Sequence, residues 1–405
     1  MNKAKEPYEN VSVFTGNVEY DKLLGMVADH DDNVFLCGRI FVNRWLRAGF
    51  DIARFDSALN FIRYIAVGNN EYSIELHGMI ADGAGNIFVC GEIGNHYNDD
   101  FYIAKLDGNL NLVKQIAINS GKQYDRLYGV TVDSNGNVFV CGETGDGYCY
   151  EVYIAKFDND LNIVKQITID NGYYYGCLYG ITVDFNDNIF VCGVTKGKPY
   201  VAKLDNNLSI IKQIVVDTDK YGYLDRVTID SNDSVFIGGI YDGHIYVAKL
   251  NNDLNLIKQI SIDTGTNNSF YSFAADSYDN VFICGQIKRD SDRKFYLAKL
   301  DNELFLLKQV IIDGNHYVTL PLKDEILVCR RGITYSADNM LIAKFDRNLS
   351  NPSVLKTGSY TFTFSEPTWL AIVQDWSATT EDWIPTVQNW APRAANSFII
   401  TEKFI

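Results

Sequence analysis

The chain has 405 residues, of which 47% are hydrophobic and 13% aromatic, so it is long and apolar enough to bury a large core. Its formal net charge of −15 argues against binding to nucleic acid or to an anionic membrane surface, because both need clustered Lys and Arg. No apolar run has the length of a membrane span, and the N-terminal stretch MNKAKEPYENVSVF lacks the apolar core of a secretory signal. We therefore expect a protein that is made in a cytoplasm and is not inserted into a membrane.

Short apolar runs punctuated by Asn, Asp and Gly begin near residue 10 and continue to about residue 356. Residues 128–170 show the unit most clearly, as the runs YGVTVD, VFVCGET, VYIAKFD and LNIVKQITI separated by turn residues. β-Branched and aromatic residues fill these runs, which is typical of β-strands joined by tight turns. The unit is therefore predicted to be a meander of short antiparallel strands.

The unit recurs along the chain in register. A Cys or Gly column is spaced by 53, 51, 51, 46, 46 and 45 residues and consists of Cys37, Cys90, Cys141, Cys192, Gly238, Cys284 and Cys329. An Ala column, followed by a basic residue, runs through Ala53, Ala104, Ala155, Ala202, Ala248, Ala298 and Ala343. Such self-similarity is the signature of a β-propeller. The first strands of the seven repeats are predicted near Met26, Ile80, Val130, Ile181, Val227, Ala274 and Thr319.

The runs NVFVCG and YIAKFD resemble those of bacterial seven-bladed β-propeller repeats. The resemblance implies an all-β fold of seven four-stranded antiparallel blades over residues 1–356. Pro352 interrupts the last strand of the seventh repeat, so we expect residues 10–16 to complete or flank that blade and close the ring. Residues 357–405 are predicted to form a separate extended or β tail.

The repeated cysteines are predicted to be small buried residues with free thiols, because each lies in a different repeat. Cys149 and Cys177 fall outside the column and are expected in loops. The segments DSNGN at 133–137 and DFNDN at 184–188 begin like calcium loops but lack the downstream Glu, so hairpin-turn chemistry is the better interpretation. The Lys and Arg residues of the AKLD-type runs are expected to point away from the core and to pair with nearby Asp. No metal or other cofactor is predicted.

Sequence variation concentrates in two sets of loops that a four-stranded blade places at one end of its sheet, whereas the other turns are uniform. This contrast is typical of a scaffold with one working face. The variable loops are rich in Tyr, a residue suited to recognition surfaces because its large rigid ring carries a hydroxyl. Candidate contacts for a glycan or protein are Tyr148, Tyr173, Tyr174, Tyr175, Tyr179, Tyr221, Tyr223 and Tyr271. The alternative is that several of these rings pack between blades.

Catalytic motifs are not evident in the sequence. The five histidines are scattered, and neither a GxSxG elbow nor a phosphate-binding Gly loop occurs. Asp99, Asp100 and Asp146 could form a carboxylate pair, but chance proximity explains them in a chain with 51 acidic residues. We therefore expect a non-enzymatic protein.

The C-terminal stretch departs from the repeat. Its tryptophans fall at intervals of seven residues, at Trp369, Trp376, Trp383 and Trp390. Pro385 and Pro392 argue against a continuous helix, which favours short strands and turns. The stretch resembles Trp-punctuated repeats in structural proteins of tailed bacteriophages. That resemblance implies a virion component anchored by its tail to other virion proteins or to copies of itself. The alternatives are a tail folded onto its own propeller and a bacterial scaffold in the cytoplasm or at the envelope.

Overall fold

The computed structural model describes residues 11–14, 20–43, 47–58, 60–69, 72–95, 98–169, 175–215, 221–262, 268–289, 292–313, 317–321, 325–331, 340–346, 349, 353–354, 361–365 and 398–401. All regular elements among them are β-strands. The chain divides into two compact units, Met1–Val215 with Arg331–Asn339 and Val216–Arg330 with Met340–Ile405. No helix in these ranges is long and apolar enough to cross a membrane.

The first unit consists of four-stranded antiparallel meanders, within which each strand pairs with the next along the chain, and of one additional N-terminal strand. Its strands are β1 (Val11–Phe14), β2 (Tyr20–Ala28), β3 (Val34–Asn43), β4 (Arg47–Phe55), β5 (Phe61–Asn69), β6 (Ser73–Ala81), β7 (Ile87–Gly94), β8 (Asp99–Leu106), β9 (Leu112–Ile118), β10 (Tyr124–Val132), β11 (Val138–Gly145), β12 (Tyr150–Phe157), β13 (Ile163–Ile169), β14 (Cys177–Val183), β15 (Ile189–Thr195), β16 (Lys198–Leu204) and β17 (Ile210–Val215). Strands β6–β9 and β10–β13 are two four-stranded meanders joined by one parallel contact between Tyr124 and Asp99.

The second unit repeats the same arrangement. Its strands are β18 (Gly222–Ile229), β19 (Val235–Tyr241), β20 (His244–Leu250), β21 (Leu256–Ile262), β22 (Ser269–Ala275), β23 (Val281–Arg289), β24 (Asp292–Leu300), β25 (Leu306–Asp313), β26 (Tyr317–Pro321), β27 (Glu325–Arg331), β28 (Met340–Asp346), β29 (Ser353–Val354), β30 (Thr361–Ser365) and β31 (Phe398–Thr401). Strands β18–β21 and β26–β29 are four-stranded sheets, whereas β22–β25 are extended by β30 and β31. The prediction of an all-β fold of four-stranded antiparallel sheets is confirmed.

The uniform turns are held by one recurring hydrogen-bond pattern. Oδ1 of Asp133 accepts the backbone N–H of Asn135 at 3.0 Å and that of Asn137 at 2.7 Å. The amide of Asn137 donates to Oδ2 of Asp133 at 2.8 Å, and Gly136 takes a φ of 79°. Asp184 and Asn188 repeat these contacts in the next repeat. The carboxylate oxygens thus accept hydrogen bonds within the turn itself, as the turn interpretation predicts.

The first strand of most of the meanders, namely β2, β6, β10, β14, β18 and β22, carries a β-bulge, whereas β26 pairs with β27 without one. The pairing of β10 with β11 shifts by one residue between Leu127 and Gly129, so Tyr128 lies opposite no partner. Opposite the bulge, the glycine after the repeated cysteine lies against the backbone of the neighbouring strand. A Cβ on Gly142 would lie 1.9 Å from the carbonyl oxygen of Arg126. Close approach of backbone to backbone therefore requires glycine at this position.

The core lies between successive sheets and contains the cysteine column. Cys37, Cys90, Cys141, Cys192 and Cys284 are buried and free, which confirms the prediction for these residues, while the side chain of Cys329 lies outside the described ones. Burial raises the pKa of the Cys37 thiol to about 12, so it is inert at neutral pH. The loop prediction for Cys177 is wrong, because it begins β14 and is buried.

The lysines of the AKLD-type runs do not point away from the core. Lys156 is buried, lies over the Phe139 ring at 5.3 Å and donates from Nζ to the carbonyl oxygen of Asn206 at 3.1 Å. Lys105 and Lys249 make the matching contacts with Asn159 and Asn302. These bonds run from one repeat to the next and use backbone carbonyls, so the expected ion pairs with Asp are replaced by inter-repeat anchors. The aliphatic stem of lysine tolerates burial when its ammonium group is hydrogen-bonded.

Both ends of the chain pair with outer strands. β1 pairs antiparallel with β5 from Val11 opposite Asn69 to Phe14 opposite Ala66, in the first repeat and not in the seventh as expected. β30 pairs with β25, so that sheet continues across the boundary predicted at residue 356. The outer strand of a four-stranded sheet has backbone groups that an added extended segment can pair, and β1 and β30 do so here. The four tail tryptophans lie between β30 and β31, outside the described residues.

Candidate binding site

The bulge residues of the first unit place aromatic rings of successive repeats against each other. His77 in β6, Tyr128 in β10 and Tyr179 in β14 occupy equivalent bulge positions. The ring centroids of His77 and Tyr128 are 5.0 Å apart, and those of Tyr128 and Tyr179 are 5.3 Å apart in an edge-to-face arrangement. A bulge turns a side chain away from the regular alternation of its strand, and here it produces a row of rings across three repeats.

Arg126 lies beside this row and is surrounded by carboxylates. Its Nε is 3.2 Å from Glu92, one terminal nitrogen is 3.6 Å from Asp99, and the other is 3.4 Å from Glu143. Its guanidinium also lies 5.2 Å from the centroid of the Tyr124 ring. Burial opposes the charge of Arg126, but the surrounding acidic groups outweigh it and raise its pKa. Arg126 therefore stays charged and fixes carboxylates contributed by two repeats.

Glu143 is the most buried acid of the group. Burial raises its pKa, although the hydroxyl of Tyr128, which donates to Oε1 at 3.0 Å, and the charge of Arg126 pull it down. On the other side of the row, Nε2 of His77 is 3.3 Å from Oε2 of Glu92. Because burial raises the pKa of this carboxyl and the guanidinium lowers it, a ligand that changes either effect changes the pKa.

Further tyrosines enclose the group. The hydroxyls of Tyr175 and Tyr179 are 2.9 Å apart, and the Tyr150 ring lies 5.6 Å from Tyr175 and 6.4 Å from Tyr124. Burial raises the pKa of the Tyr175 hydroxyl and of the Cys177 thiol, and the Glu143 charge adds to both effects. These hydroxyls remain neutral donors and acceptors at neutral pH. We call the whole group the tyrosine–carboxylate cluster; its members are His77, Glu92, Asp99, Tyr124, Arg126, Tyr128, Glu143, Tyr150, Tyr175 and Tyr179.

The cluster is suited to recognition. Its three carboxylates outnumber its one guanidinium, and the side chains of Arg126 and His77 keep 27% and 26% of their surface exposed. Rings that present faces and edges, together with oriented hydroxyls and carboxylates, match partners rich in hydroxyl or amino groups. Of the tyrosines predicted from the sequence for this unit, Tyr175 and Tyr179 belong to the cluster. Tyr148 lies 92% exposed in the loop between β11 and β12, and Tyr173 and Tyr174 lie outside the described residues.

The second unit has a smaller group of the same kind. The rings of Tyr221 and Tyr223 are 6.2 Å apart, edge to face, and Tyr271 occupies the bulge position of β22. Burial raises the pKa of Tyr223 to about 12, with additional contributions from Asp225, Tyr221 and Tyr271. The structure thus brings Tyr221, Tyr271 and Asp225 close to Tyr223, and burial raises the pKa of Asp225 to about 7.

In the ranges that the structure describes, no three His, Cys, Asp or Glu side chains come close enough to hold a metal ion. Asp99 and Asp100 are both buried at the start of β8, where Asp99 faces Arg126 and Asp100 accepts a hydrogen bond from the Asn119 amide at 2.6 Å. Asp146 is an exposed loop residue that accepts backbone N–H groups. The carboxylates considered for catalysis are therefore individually engaged.

Comparison with known proteins identifies the repeat. Residues 113–148, from β9 to the loop after β11, match the family SBBP, described as a β-propeller repeat. This stretch of the chain is similar to one β-propeller repeat. No curated protein sequence matches the chain. The propeller part of the resemblance seen in the sequence is confirmed, and its bacteriophage part stays a prediction.

Solved structures with the same fold are distant in sequence. Sqt1 from Chaetomium thermophilum is 12% identical with a TM-score of 0.50, over 87% of this chain and 86% of that one. A puromycin hydrolase is 9% identical with a TM-score of 0.54, and the match covers 85% of this chain but only 58% of the hydrolase. The β-propeller domain of the Trilobed protease from Pyrococcus furiosus is 7% identical with a TM-score of 0.48, over 84% and 96% of the two chains. At these identities the likeness to Sqt1 and to the puromycin hydrolase shows the fold alone.

The charged residues of the cluster were not predicted from the sequence. Arg126, Glu92 and Glu143 were not singled out, and His77 was set aside as one scattered histidine. The signal was present in the aligned repeats, where Leu-His-Gly, Leu-Tyr-Gly and Leu-Tyr-Gly stand at 76–78, 127–129 and 178–180. The His or Tyr before that Gly is the bulge residue, and the three bulge residues all belong to the cluster.

Proposed function

We propose that the protein is a non-enzymatic binding protein that recognises a surface glycan or protein through the variable ends of its repeats. The tyrosine–carboxylate cluster carries this proposal. It collects rings, hydroxyls and carboxylates from three successive repeats, between the middle of their strands and the variable loops. Propeller repeats supply rigid sheets that hold such side chains in fixed positions, and the fold itself hosts many unrelated functions.

The repeats are proposed to form seven blades of one propeller. The support is the seven-fold recurrence of the Cys or Gly column from Cys37 to Cys329 and of the Ala column from Ala53 to Ala343. Each interval of 45–53 residues holds one meander of four strands, which is the size of one blade.

The segment with Trp369, Trp376, Trp383 and Trp390 is proposed as the attachment device. Four large apolar rings at a constant interval favour a partner with repeated pockets, or association with tails of other copies. The assembly proposed is a tailed-phage virion, on which the propeller would be displayed. The alternative is a bacterial scaffold for protein–protein interaction in the cytoplasm or at the envelope, and the genes beside the coding sequence would separate the two.

The binding proposal is tested with labelled full-length protein on a glycan array and on a panel of intact bacterial cells. We expect retention on at least one of these surfaces. Exchange of residues 172–176 (GYYYG) for Ser and Gly should abolish retention and leave the thermal transition nearly unchanged. The matched control replaces Val164 and Ile211, exposed on outer strands, by Ser and should retain binding. Equal retention of the 172–176 variant would move the site elsewhere.

A further inference from the structure

A cavity separates two neighbouring repeats of the first unit, beside the tyrosine–carboxylate cluster but sharing no side chain with it. Its volume is about 310 Å³, at the lower end of the range of small-molecule sites. Strands β8, β9, β11, β12 and β13 and the loop before β10 line it. The lining side chains are Phe101, Ile118, Ser120, Lys122, Thr144, Glu151, Tyr153, Gln166, Ile167 and Thr168.

A buried carboxyl lies directly behind the polar side of this cavity. Asp125 is fully buried, and its Oδ1 accepts hydrogen bonds of 2.5 Å from the hydroxyls of both Ser120 and Thr144. Its Oδ2 accepts the backbone N–H of Ser120 at 2.7 Å. Burial raises the pKa of Asp125 to about 6 against these three hydrogen bonds, and nearby Asp100 adds to the rise. The carboxyl therefore orients two hydroxyls that line the cavity.

The preceding repeat shows that the fold does not need these polar groups. Asp125 and Thr144 are register partners in β10 and β11, and Ile74 and Ile93 are the equivalent partners in β6 and β7. Both isoleucines are buried. The aligned position holds Gly176, Gly222 and Asn268 in later repeats and Asp21 in the first, where the side chain lies outside the described ones. Because burying a carboxyl is unfavourable where an isoleucine fits, Asp125 indicates a role beyond packing.

The polar atoms offered to the cavity are mixed in kind. Ser120 and Thr144 donate their protons to Asp125, and their oxygens lie 2.8 Å from each other, so towards a ligand these two oxygens act as acceptors. The Gln166 carbonyl accepts the Tyr153 hydroxyl at 3.0 Å, which leaves its amide nitrogen as a donor. Lys122 and Glu151 add one charge of each sign. An apolar wall completes the cavity, where the Tyr153 ring stacks on Phe101 with centroids 4.0 Å apart.

We propose that this cavity binds one neutral, polyhydroxylated ring, a single monosaccharide unit. Hydroxyl groups both donate and accept, so they satisfy the acceptors of Ser120, Thr144 and Glu151 together with the donors of Gln166 and Lys122. An apolar ligand would leave these groups without partners, and an ion of either sign would face one like charge. The C–H faces of a sugar ring suit the aromatic and isoleucine wall. The loop of Ser120 is already fixed, because Gly121 N–H donates to Asn119 and Lys122 N–H to Ser120.

The test measures binding of methyl glycosides of glucose, galactose, mannose, rhamnose and N-acetylglucosamine to the full-length protein by saturation-transfer NMR and calorimetry. At least one should bind saturably. The double variant Asp125→Ile with Thr144→Ile gives this repeat the residue pair of its neighbour, so it should fold and weaken binding by at least about tenfold. Thr195→Ile, at the position of Thr144 in the next repeat, should leave binding unchanged.

A second variant keeps the test decisive if the double variant fails to fold. Thr168→Trp fills the cavity from an exposed position of β13 and should abolish binding, whereas Thr168→Ser should preserve it. No saturable binding of any glycoside to the unaltered protein, or undiminished binding by Thr168→Trp, would overturn the proposal. Binding of free amino acids in place of sugars would overturn the ligand class. Exchange of residues 172–176 should not affect glycoside binding, so failure here is distinguishable from failure of the proposed function.

Discussion

Gly142 shows how the backbone of the repeat dictates a residue. A methyl group there would lie 1.9 Å from the carbonyl oxygen of Arg126, far closer than carbon and oxygen atoms that are not bonded can approach. We expect Gly142→Ala to destabilise the protein by about 3 kcal/mol, at the upper end of the usual cost of overpacking. Gly83→Ala is the control, since no atom lies within 4 Å of the added methyl group. Denaturant unfolding of both variants measures the difference, and an equal effect would contradict the close approach of β10 and β11.

Asp125 makes a specific contribution to the pH dependence of stability. Its pKa of about 6 exceeds the ordinary 3.8, so the folded state holds the proton more tightly than the unfolded state. Below pH 3.8 the carboxyl is protonated in both states, so its charge does not affect stability. Its contribution to the free energy of unfolding falls as the pH rises from 3.8 to about 6 and then levels off, a total loss of about 3 kcal/mol. Raising the pH from 4 to 7 should therefore lower the stability of the unaltered protein more than that of Asp125→Asn.

Denaturant unfolding of the two proteins at several pH values between 4 and 7 isolates this contribution, because the other acids cancel in the comparison. The charge of Asp100 acts on Asp125, and Lys122 and Glu151 line the adjacent cavity, so all three are kept in both proteins. Parallel stability curves for the two proteins would show that Asp125 is not protonated more readily in the folded state.

At the scale of strands, the buried lysines join one repeat to the next. Lys156 donates to the Asn206 carbonyl and lies over Phe139, whereas Lys165 makes its contact with Asn207 in an exposed setting. We expect Lys156→Met to cost about 1–3 kcal/mol, because it removes the donor to the partly buried acceptors of Asn206. Lys165→Met should change the free energy of unfolding by no more than about 0.5 kcal/mol. Equal losses, measured by urea unfolding, would refute the role of Lys156 as an inter-repeat anchor.

The strands and turns could be predicted from the sequence because their causes are local. Alternating β-branched residues define the strands, and the Asp-to-Asn spacing of four residues defines the turns. A Lys-Gln pair also recurs in the sequence, for example at 114–115, 165–166 and 212–213, but the sequence does not show why the Gln is needed. Tyr153 donates to Gln166, thirteen residues later, and the same pair recurs as Tyr102 with Gln115 and Tyr200 with Gln213. A hydrogen bond between side chains of two strands can be predicted only when the pairing register of those strands is known.

The candidate site was only half predictable for the same reason. Tyr175 and Tyr179 stand out as members of a tyrosine-rich loop, but Arg126 acquires meaning only when Glu92 of the preceding repeat lies 3.2 Å away. The cavity was not predictable either, since Asp125 looks like any other acid in an acidic chain. Comparing its position with Ile74 in the aligned repeat would have marked it.

At the scale of the whole molecule, the C-terminal segment has two separable parts. β30 covers the outer edge of β25, and the tryptophans follow it in sequence. A protein ending at Ser365 keeps β30 and should be folded and monomeric in light scattering, but should no longer attach to its assembly. A protein ending at Lys356 should lose attachment equally, and its uncovered β25 edge should make it more prone to associate. Unfolding of the longer protein would show that the tryptophan segment is part of the propeller core.

The proposal that the variable loops form the binding face is tested by matched substitutions at the two ends of the strands. Tyr148 and Tyr221 are 92% and 72% exposed at the variable-loop end, and Phe185 and Tyr278 are 74% and 56% exposed in the uniform turns. One of each pair lies in each unit, so the two double variants to Ser remove similar exposed aromatic surface. Their retention on the surface that binds the unaltered protein should differ, with Tyr148→Ser and Tyr221→Ser weakening it at least about tenfold and Phe185→Ser and Tyr278→Ser leaving it unchanged. Equal retention by both variants, or loss confined to the uniform-turn variant, would contradict a working face at the variable loops.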